Sequence, residues 1–268
     1  MKGTLYILLL LSFVAATSCS TIFEDRSKCP SALVLDYSSA DERVKSANVW
    51  IIGSNGELLH RRDITESSLR LKDIYSVARG ETLCYVWANI GSSTLCNMEY
   101  SSSAKLINAG SGLADSLYLY RANVVVNRDT LFVRVEPSKM YANIYISYNS
   151  FFEGDRVVAK LSSPYGAFAL DGTPLMEQLR CERVAHTPKE MLRLLKPADY
   201  SGIGIEFSYT PNGGAPIGLK YDLGNWLSST KYDLGQMKDI YIGIDLSSFS
   251  AFITTDKWKI VPDFDILF

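Results

Sequence analysis

The sequence predicts an all-β protein: two sandwiches in tandem behind an N-terminal targeting segment. Three observations carry this. Apolar and polar residues alternate with period two through one short run after another, the spacing of strands with one buried and one wet face. Sixteen tyrosines and eleven phenylalanines favour strands over helices. The runs fall into two sets of about seven, each over roughly 110 to 130 residues, the size of one sandwich.

The elements follow in order. Ala32–Tyr37 reads as the first strand and Asn48–Gly53 as the second. Asn55-Gly56 then leads into Glu57–Arg62, and an Asn-Gly pair between apolar runs predicts a tight hairpin with a primed turn. Ser67–Leu71 reads as a short strand. Glu81–Asn89 alternates, so Leu83, Tyr85 and Trp87 are expected to face the first core. Ser116–Tyr120 and Thr130–Glu136 complete the first set, and Pro137-Ser138 marks a boundary. In the second set, Ala142, Ile144, Ile146 and Tyr148 share a face of Met140–Tyr148. Asp155–Leu161 and Ala167–Leu170 follow, the latter before a turn at Asp171-Gly172. Ile203, Ile205, Phe207 and Tyr209 alternate in Gly202–Tyr209 and are expected to face the second core. Gly218–Asp222, Asp239–Leu246 and Trp258–Val261 complete the set.

One segment reads as a helix. Thr187-Pro-Lys-Glu190 has the form of a capping box with proline at the first helical place, and Met191, Leu192, Leu194 and Leu195 give an apolar stripe. At the other extreme, Phe264, Ile266 and Phe268 alternate with Asp265 and Leu267. That pattern predicts a strand running to the last residue, held by its own sandwich or available to a neighbour.

The N-terminus has the layout of a secretory signal: Lys2, an apolar run from Leu5 to Ala16, then small residues. The run is about a dozen residues, against roughly 20 for a membrane-spanning helix. Ala16-Thr-Ser-Cys19 resembles a bacterial lipobox, although such boxes prefer Leu or Val where Ala16 stands. The expectation is a lipoprotein signal peptide over 1–18 and a lipid on Cys19, which then anchors the chain to a membrane. Residues 19–29 form a polar tether, followed by sandwiches over 30–137 and 138–268.

Charge nearly balances, 27 Lys and Arg against 29 Asp and Glu, and no basic block exists, so nucleic acid is not an expected partner. Cys29, Cys84, Cys96 and Cys181 remain once Cys19 is lipidated. Export favours one disulfide among them, with the pairing open. The two histidines, His60 and His186, fall in different sets of strands. No HExxH, paired CxxC, G-x-S-x-G or phosphate-binding glycine loop occurs, so no catalytic residue, metal site or cofactor is expected. Ser111 lies in a loop, and Gly202-Ile-Gly204 reads as close packing within a strand. Trp50 and Trp87 fall on strands and read as core, whereas Trp226 and Trp258 are open to a role in sugar stacking.

Taken in order, these segments resemble a family. The lipobox cysteine and acidic tether, Cys29-Pro30 with a strand ending in Asp36-Tyr37, Val49-Trp-Ile-Ile-Gly53 with its hairpin, Tyr85-Val-Trp-Ala-Asn89, Lys139-Met-Tyr-Ala-Asn-Ile-Tyr-Ile146 and the stretch from Ile242 to Trp258 are similar to the fimbrillin-associated anchor proteins of Bacteroidales. The resemblance implies two transthyretin-like β-sandwich domains. It implies an outer-membrane, surface-exposed lipoprotein that anchors or assembles a fimbria. It also implies partnership with fimbrial subunits through strand complementation, in which a strand of one subunit fills a groove in its neighbour. A surface glycan-binding β-sandwich lipoprotein is the alternative, and a lipid-anchored enzyme is a third class.

Overall fold

A computed structural model of the chain describes residues 29–69, 71–97, 105–248 and 250–255. Among these, the secondary structure is strand apart from one short helix. The first half contains β1 (Ser31–Asp36), β2 (Ser46–Gly53), β3 (Leu58–Thr65), β4 (Asp73–Val77), β5 (Gly80–Ala88), β6 (Thr94–Asn97), β7 (Lys105–Asn108), β8 (Tyr118–Val126) and β9 (Thr130–Arg134). The short β10 (Ser138–Lys139) leads into the second half. There follow β11 (Tyr141–Asn149), β12 (Arg156–Ser163), β13 (Ala167–Ala169), β14 (Pro174–Leu175), β15 (Leu179–Ala185), β16 (Lys189–Leu195), β17 (Gly204–Thr210), β18 (Ile217–Tyr221), the helix Leu223–Ser229, β19 (Ile240–Asp245) and β20 (Ser250–Thr254).

Five sheets result. In the first half β4-β1-β9 packs on β10-β8-β5-β2-β3, and in the second β16-β11-β19-β20 packs on β15-β12-β17-β18. The halves have one topology. β1, β2, β3, β4, β5, β8 and β9 correspond to β11, β12, β15, β16, β17, β18 and β19. Each first strand pairs antiparallel with the fourth (β4, β16) and parallel with the seventh (β9, β19). The second, third, fifth and sixth pair antiparallel in the same order. The fifth sheet, β14-β13-β7-β6, takes two strands from each half.

That shared sheet makes the first half three layers deep and decides which way β5 faces. Leu33, Leu35, Tyr75, Val77 and Val133 meet Val49, Ile51, Thr82, Cys84, Val86 and Ala88, all buried, between the first two sheets. Leu83, Tyr85 and Trp87 point the other way, which corrects the expected face. They line the layer under the shared sheet, where the Trp87 ring lies 5.4 Å from Phe168. The Trp87 indole N–H donates to the Leu170 carbonyl at 2.8 Å. Alternation could not choose the face because apolar layers cover both sides of this strand. Trp50 and Trp87 are core residues, 2% and 0% exposed, in this second layer.

The second half follows the pattern more simply. Ala142, Ile144, Ile146 and Tyr148 are buried, and so are Ile203, Ile205, Phe207 and Tyr209.

Other expectations are corrected. The segment expected as a helix after Thr187 is β16, an antiparallel partner of β11. Thr187 Oγ1 donates to the Lys189 carbonyl instead of capping a turn of helix. Leu192 and Leu194 fit a strand face as well as a helix stripe, and sheet pairing decides between them. The helix that does form, Leu223–Ser229, is capped by Asp222, whose carboxylate accepts from the Asn225 N–H at 2.9 Å. Residues 66–69 form a turn on Thr65, not a strand; β4 follows it, with Asp73, Tyr75 and Val77 inward. In the 54–56 hairpin only Gly56 takes a positive φ, 82°, so the turn is not the primed one expected of Asn55-Gly56. Gly202 also takes a positive φ, 68°, in a turn before β17. The four described cysteines are free. Cys84 lies in the first core and Cys181 in the second, and burial pushes the Cys84 thiol up to about 12. Cys19, Trp258–Val261 and the alternating C-terminal residues lie outside the described residues.

Candidate functional site

Because β1 and β9 run side by side, the direction of the first half is fixed. Ala32 N–H donates to the Asp129 carbonyl at 2.8 Å at one end, and Val135 N–H to the Asp36 carbonyl at 2.8 Å at the other. The second end leads through β10 into the second half, so the chain enters at the pole away from the junction. The 54–56 hairpin and residues 127–129 lie at the entry pole too, by the register of β2, β5 and β8.

The junction is tightly joined. Lys139 Nζ and Arg193 Cζ sit 4.7 and 4.8 Å from the centre of the Tyr141 ring. The Tyr141 hydroxyl is 3.2 Å from that of Tyr118. Asp239 holds Lys139 and accepts the Asn143 N–H at 3.0 Å. Asn89, with φ 59°, stitches the first half beneath. Its carboxamide oxygen accepts from the Lys45 N–H at 2.7 Å, and its amide donates to the Arg43 and Ser116 carbonyls at 2.9 and 3.2 Å. The Tyr-Val-Trp-Ala-Asn stretch is therefore a packing and stitching element.

The side of the first half away from β3 and β4 is open. Among the described residues no strand pairs with the outer edge of β9, and only β10 reaches the outer edge of β8, at Tyr118 and Leu119. The inward side chains there are incompletely covered: Tyr120, Ala122, Val124 and Leu131 are half-buried. In the second half β20 pairs with the outer edge of β19. Ile242 and Ile244, which correspond to Leu131 and Val133, are each 1% exposed, against 8% for Val133. The opposite side of the first half is stoppered. His60 Nε2 lies 2.6 Å from the Ser76 carbonyl, and Arg62 pairs with Asp73 at 3.0 Å, so β3 side chains cover the edge of β4. The open side thus offers unpaired backbone beside half-covered apolar side chains, which are the two things an added strand satisfies together.

Residues weighed for other chemistry do not converge. His60 serves that edge, and His186 lies in the β15–β16 turn of the other half. The Ser111 carbonyl accepts from the Glu182 N–H at 2.9 Å. No group of three or more His, Cys, Asp or Glu among the described residues could hold a metal ion. Trp226 is half-buried against the core. No described helix is long and apolar enough to cross a membrane. The open side was not legible in the sequence: a missing strand leaves no motif.

No family model matches the chain, and no curated protein matches it in sequence. Solved structures do match. A candidate adhesin from Bacteroides thetaiotaomicron aligns with TM-score 0.63 at 13% identity, over 85% of this chain and 97% of that one. A candidate polysaccharide-binding protein from the same organism aligns with TM-score 0.61 at 12% identity, over 84% and 94%. The fimbrial anchor protein of Porphyromonas gingivalis aligns with TM-score 0.58 at 14% identity, over 84% and 95%. At these identities the likeness is one of fold, and the fold the sequence resembled is that of a fimbrial anchor protein.

Proposed function

We propose that this chain is a cell-surface lipoprotein of the outer membrane that anchors or assembles a fimbria and joins fimbrial subunits by strand complementation. One observation carries the reading: the first half presents an open sandwich side where its otherwise matching second half has a strand. The shared fold with a fimbrial anchor protein supports it. In this reading 1–18 is the removed signal peptide, Cys19 carries the lipid, 19–29 is the tether, and 30–137 and 138–268 are the two domains. The chain is a structural component and not a catalyst. The entry pole faces the membrane, and the junction and second half project from it.

Intact-cell crosslinking from the open side tests the partnership. Fimbrial subunits are the expected crosslinked species, and their absence in fimbriated cells overturns it. Mass spectrometry of the mature N-terminal peptide tests the anchor. A lipid-bearing Cys19 as the mature N-terminus is expected, and Cys19→Ala should move the protein out of the membrane fraction with its melting temperature unchanged. An unmodified N-terminus at another residue rejects lipid anchoring.

A further inference from the structure

β20 brings the chain back to the junction on the open side of the first half. Thr254 pairs with Tyr241, at the start of β19. Just before β19, Asp239 holds Lys139, whose Nζ also donates to the Met237 carbonyl at 3.2 Å. Lys139 belongs to β10, the short strand on the outer edge of β8. The chain therefore reaches Thr255 at the junction end of the unpaired edges of β8 and β9. The direction suits those edges too. β9 runs towards the junction, so a segment that leaves the junction alongside it is antiparallel to it.

The ladder to β1 fixes which groups of β9 are turned out. Asp129 and Val135 bond to β1, and alternate residues of a strand point the same way. Thr130, Phe132 and Arg134 thus direct N–H and C=O to the open edge, with their side chains on the outer face of the sheet. On that face Lys72 Nζ lies 5.4 Å from the centre of the Phe132 ring, and Arg134 pairs with the exposed Glu136 at 3.0 Å. A neighbouring strand that fits is apolar at its inward places and acidic where it meets Lys72 and Arg134. Asp263-Phe-Asp-Ile-Leu267 has that pattern. The other alternating run beyond Thr255, Lys257-Trp-Lys-Ile260, would set lysines against the same cations.

We propose that residues 263–267 of the same chain form the strand beside β9, antiparallel to it. Asp263 then stands opposite Arg134, Asp265 opposite Phe132 and Leu267 opposite Thr130. Phe264 and Ile266 turn inward onto the half-buried Tyr120, Val124 and Leu131, while the Phe132 ring stays on the outer face. Residues 255–262 make the connection. Eight extended residues reach about 27 Å, whereas the chain from Lys139 back to Arg134 measures at most about 17 Å. Pro262, which has no N–H to donate, falls just before the paired residues. A strand tethered in this way is present at an effective concentration in the millimolar range, which a free partner must exceed. The place of this segment stands without the fimbrial reading. Where that reading holds, it regulates the same site: a subunit's strand enters the open side only as residues 263–267 leave it.

Two measurements test this. In a full chain carrying Cys29→Ser and Cys96→Ser, Phe132→Cys with Asp265→Cys should form a disulfide within one chain on oxidation, because opposed residues of paired strands lie within bridging distance. Ile74→Cys with Asp265→Cys is the control. Ile74 is as exposed as Phe132, 65% against 64%, but lies two strands away across β1. Its yield should be at least about tenfold lower. Equal yields, or a bridge that forms only between chains, overturn the proposal. In the second measurement, a stop after Pro262 should quicken NMR amide exchange at Thr130, Phe132 and Arg134 at least about tenfold. Should that chain fail to fold, Ile266→Asp keeps the length and should quicken the same three amides, while Tyr241, Gly243 and Asp245 under β20 exchange as in the parent. Unchanged exchange at the three amides in a folded variant overturns the proposal. So does quickening at Ala251 and Ile253 in their place, which would put the segment on the outer edge of β20. If the three amides quicken but the shortened chain crosslinks no fimbrial subunit in fimbriated cells, the fimbrial reading falls and the strand beside β9 stands.

Discussion

β9 and β19 hold the same position in their two halves, each parallel to the first strand and each turning two apolar residues inward. Yet Ile242 and Ile244 are sealed, while Leu131 stays half-buried and Phe132 lies out in solvent. The difference is β20. One fold with seven shared strands is closed where an eighth is present and open where the chain instead leaves for its other half. The contrast teaches that the opening is not a weakness of the local sequence. β9 is apolar at Leu131, Phe132 and Val133 and pairs along its whole length with β1, as its counterpart pairs with β11. Among the described residues, what it lacks is a strand on its outer edge.

The largest perturbation that can break this comparison is a charge in the second core. Ile205 is 0% exposed, so Ile205→Asp should cost more than about 4 kcal/mol. Because the shared sheet ties the halves, the fluorescence of Trp50 and Trp87 should report the same lowered transition as circular dichroism. If those tryptophans melt as in the parent, the halves are independent and must be compared as separate domains. Phe168→Ala comes next, at about 3 to 5 kcal/mol, because it removes a fully buried ring between the halves. Chemical denaturation should then show two transitions or one broader one. An unchanged curve means that the shared sheet couples nothing.

The comparison is sharpened by paired substitutions. Phe252→Ala uncovers Gly243 and should cost about 1 to 2 kcal/mol, whereas Phe132→Ala on the exposed edge should stay within about 0.5 kcal/mol. Equal losses in urea titrations would mean that the Phe132 ring is covered in solution. The smallest effect is a pH effect confined to the second half. The Asp155 carboxylate accepts the backbone N–H groups of Phe152 and Asn212, at 3.0 and 3.1 Å, and the Tyr209 hydroxyl. The Phe152 bond foremost, with those of Asn212 and Tyr209, holds its pKa below the ordinary 3.8. A lowered carboxyl stabilises above its unfolded value and loses that contribution as pH falls through the folded one. The protection of the Phe152 and Asn212 amides, relative to their intrinsic exchange at each pH, should fall as pH drops below about 4, and Asp155→Asn should flatten that dependence.

Sequence pattern resolved the strands that have one wet face, as in Ile203–Tyr209, because there period two reports burial directly. It chose the wrong face on β5, where Trp87 is as buried as Cys84 but against a different layer. It took 187–195 for a helix because a capping box is a local signal and sheet pairing is not. It passed over β6, β7 and β15, short or with charged residues among the apolar ones. The disulfide expectation fails because all four described cysteines are free, Cys84 and Cys181 each buried in its own core. The seven-strand duplication was hidden as well. Insertions of the shared-sheet strands and the helix put the corresponding strands out of step.

The shared sheet also sets an order of events in time. A chain made from its N-terminus completes β9 while residues 167–175 are still to come. Until those arrive, β6 and β7 have no continuation, and Trp87 lacks both the Phe168 ring and the Leu170 carbonyl that it holds in the finished fold. The first half can collapse early, but it cannot finish. The segment that finishes it lies beyond the junction, so assembly of the first half waits on synthesis of the second.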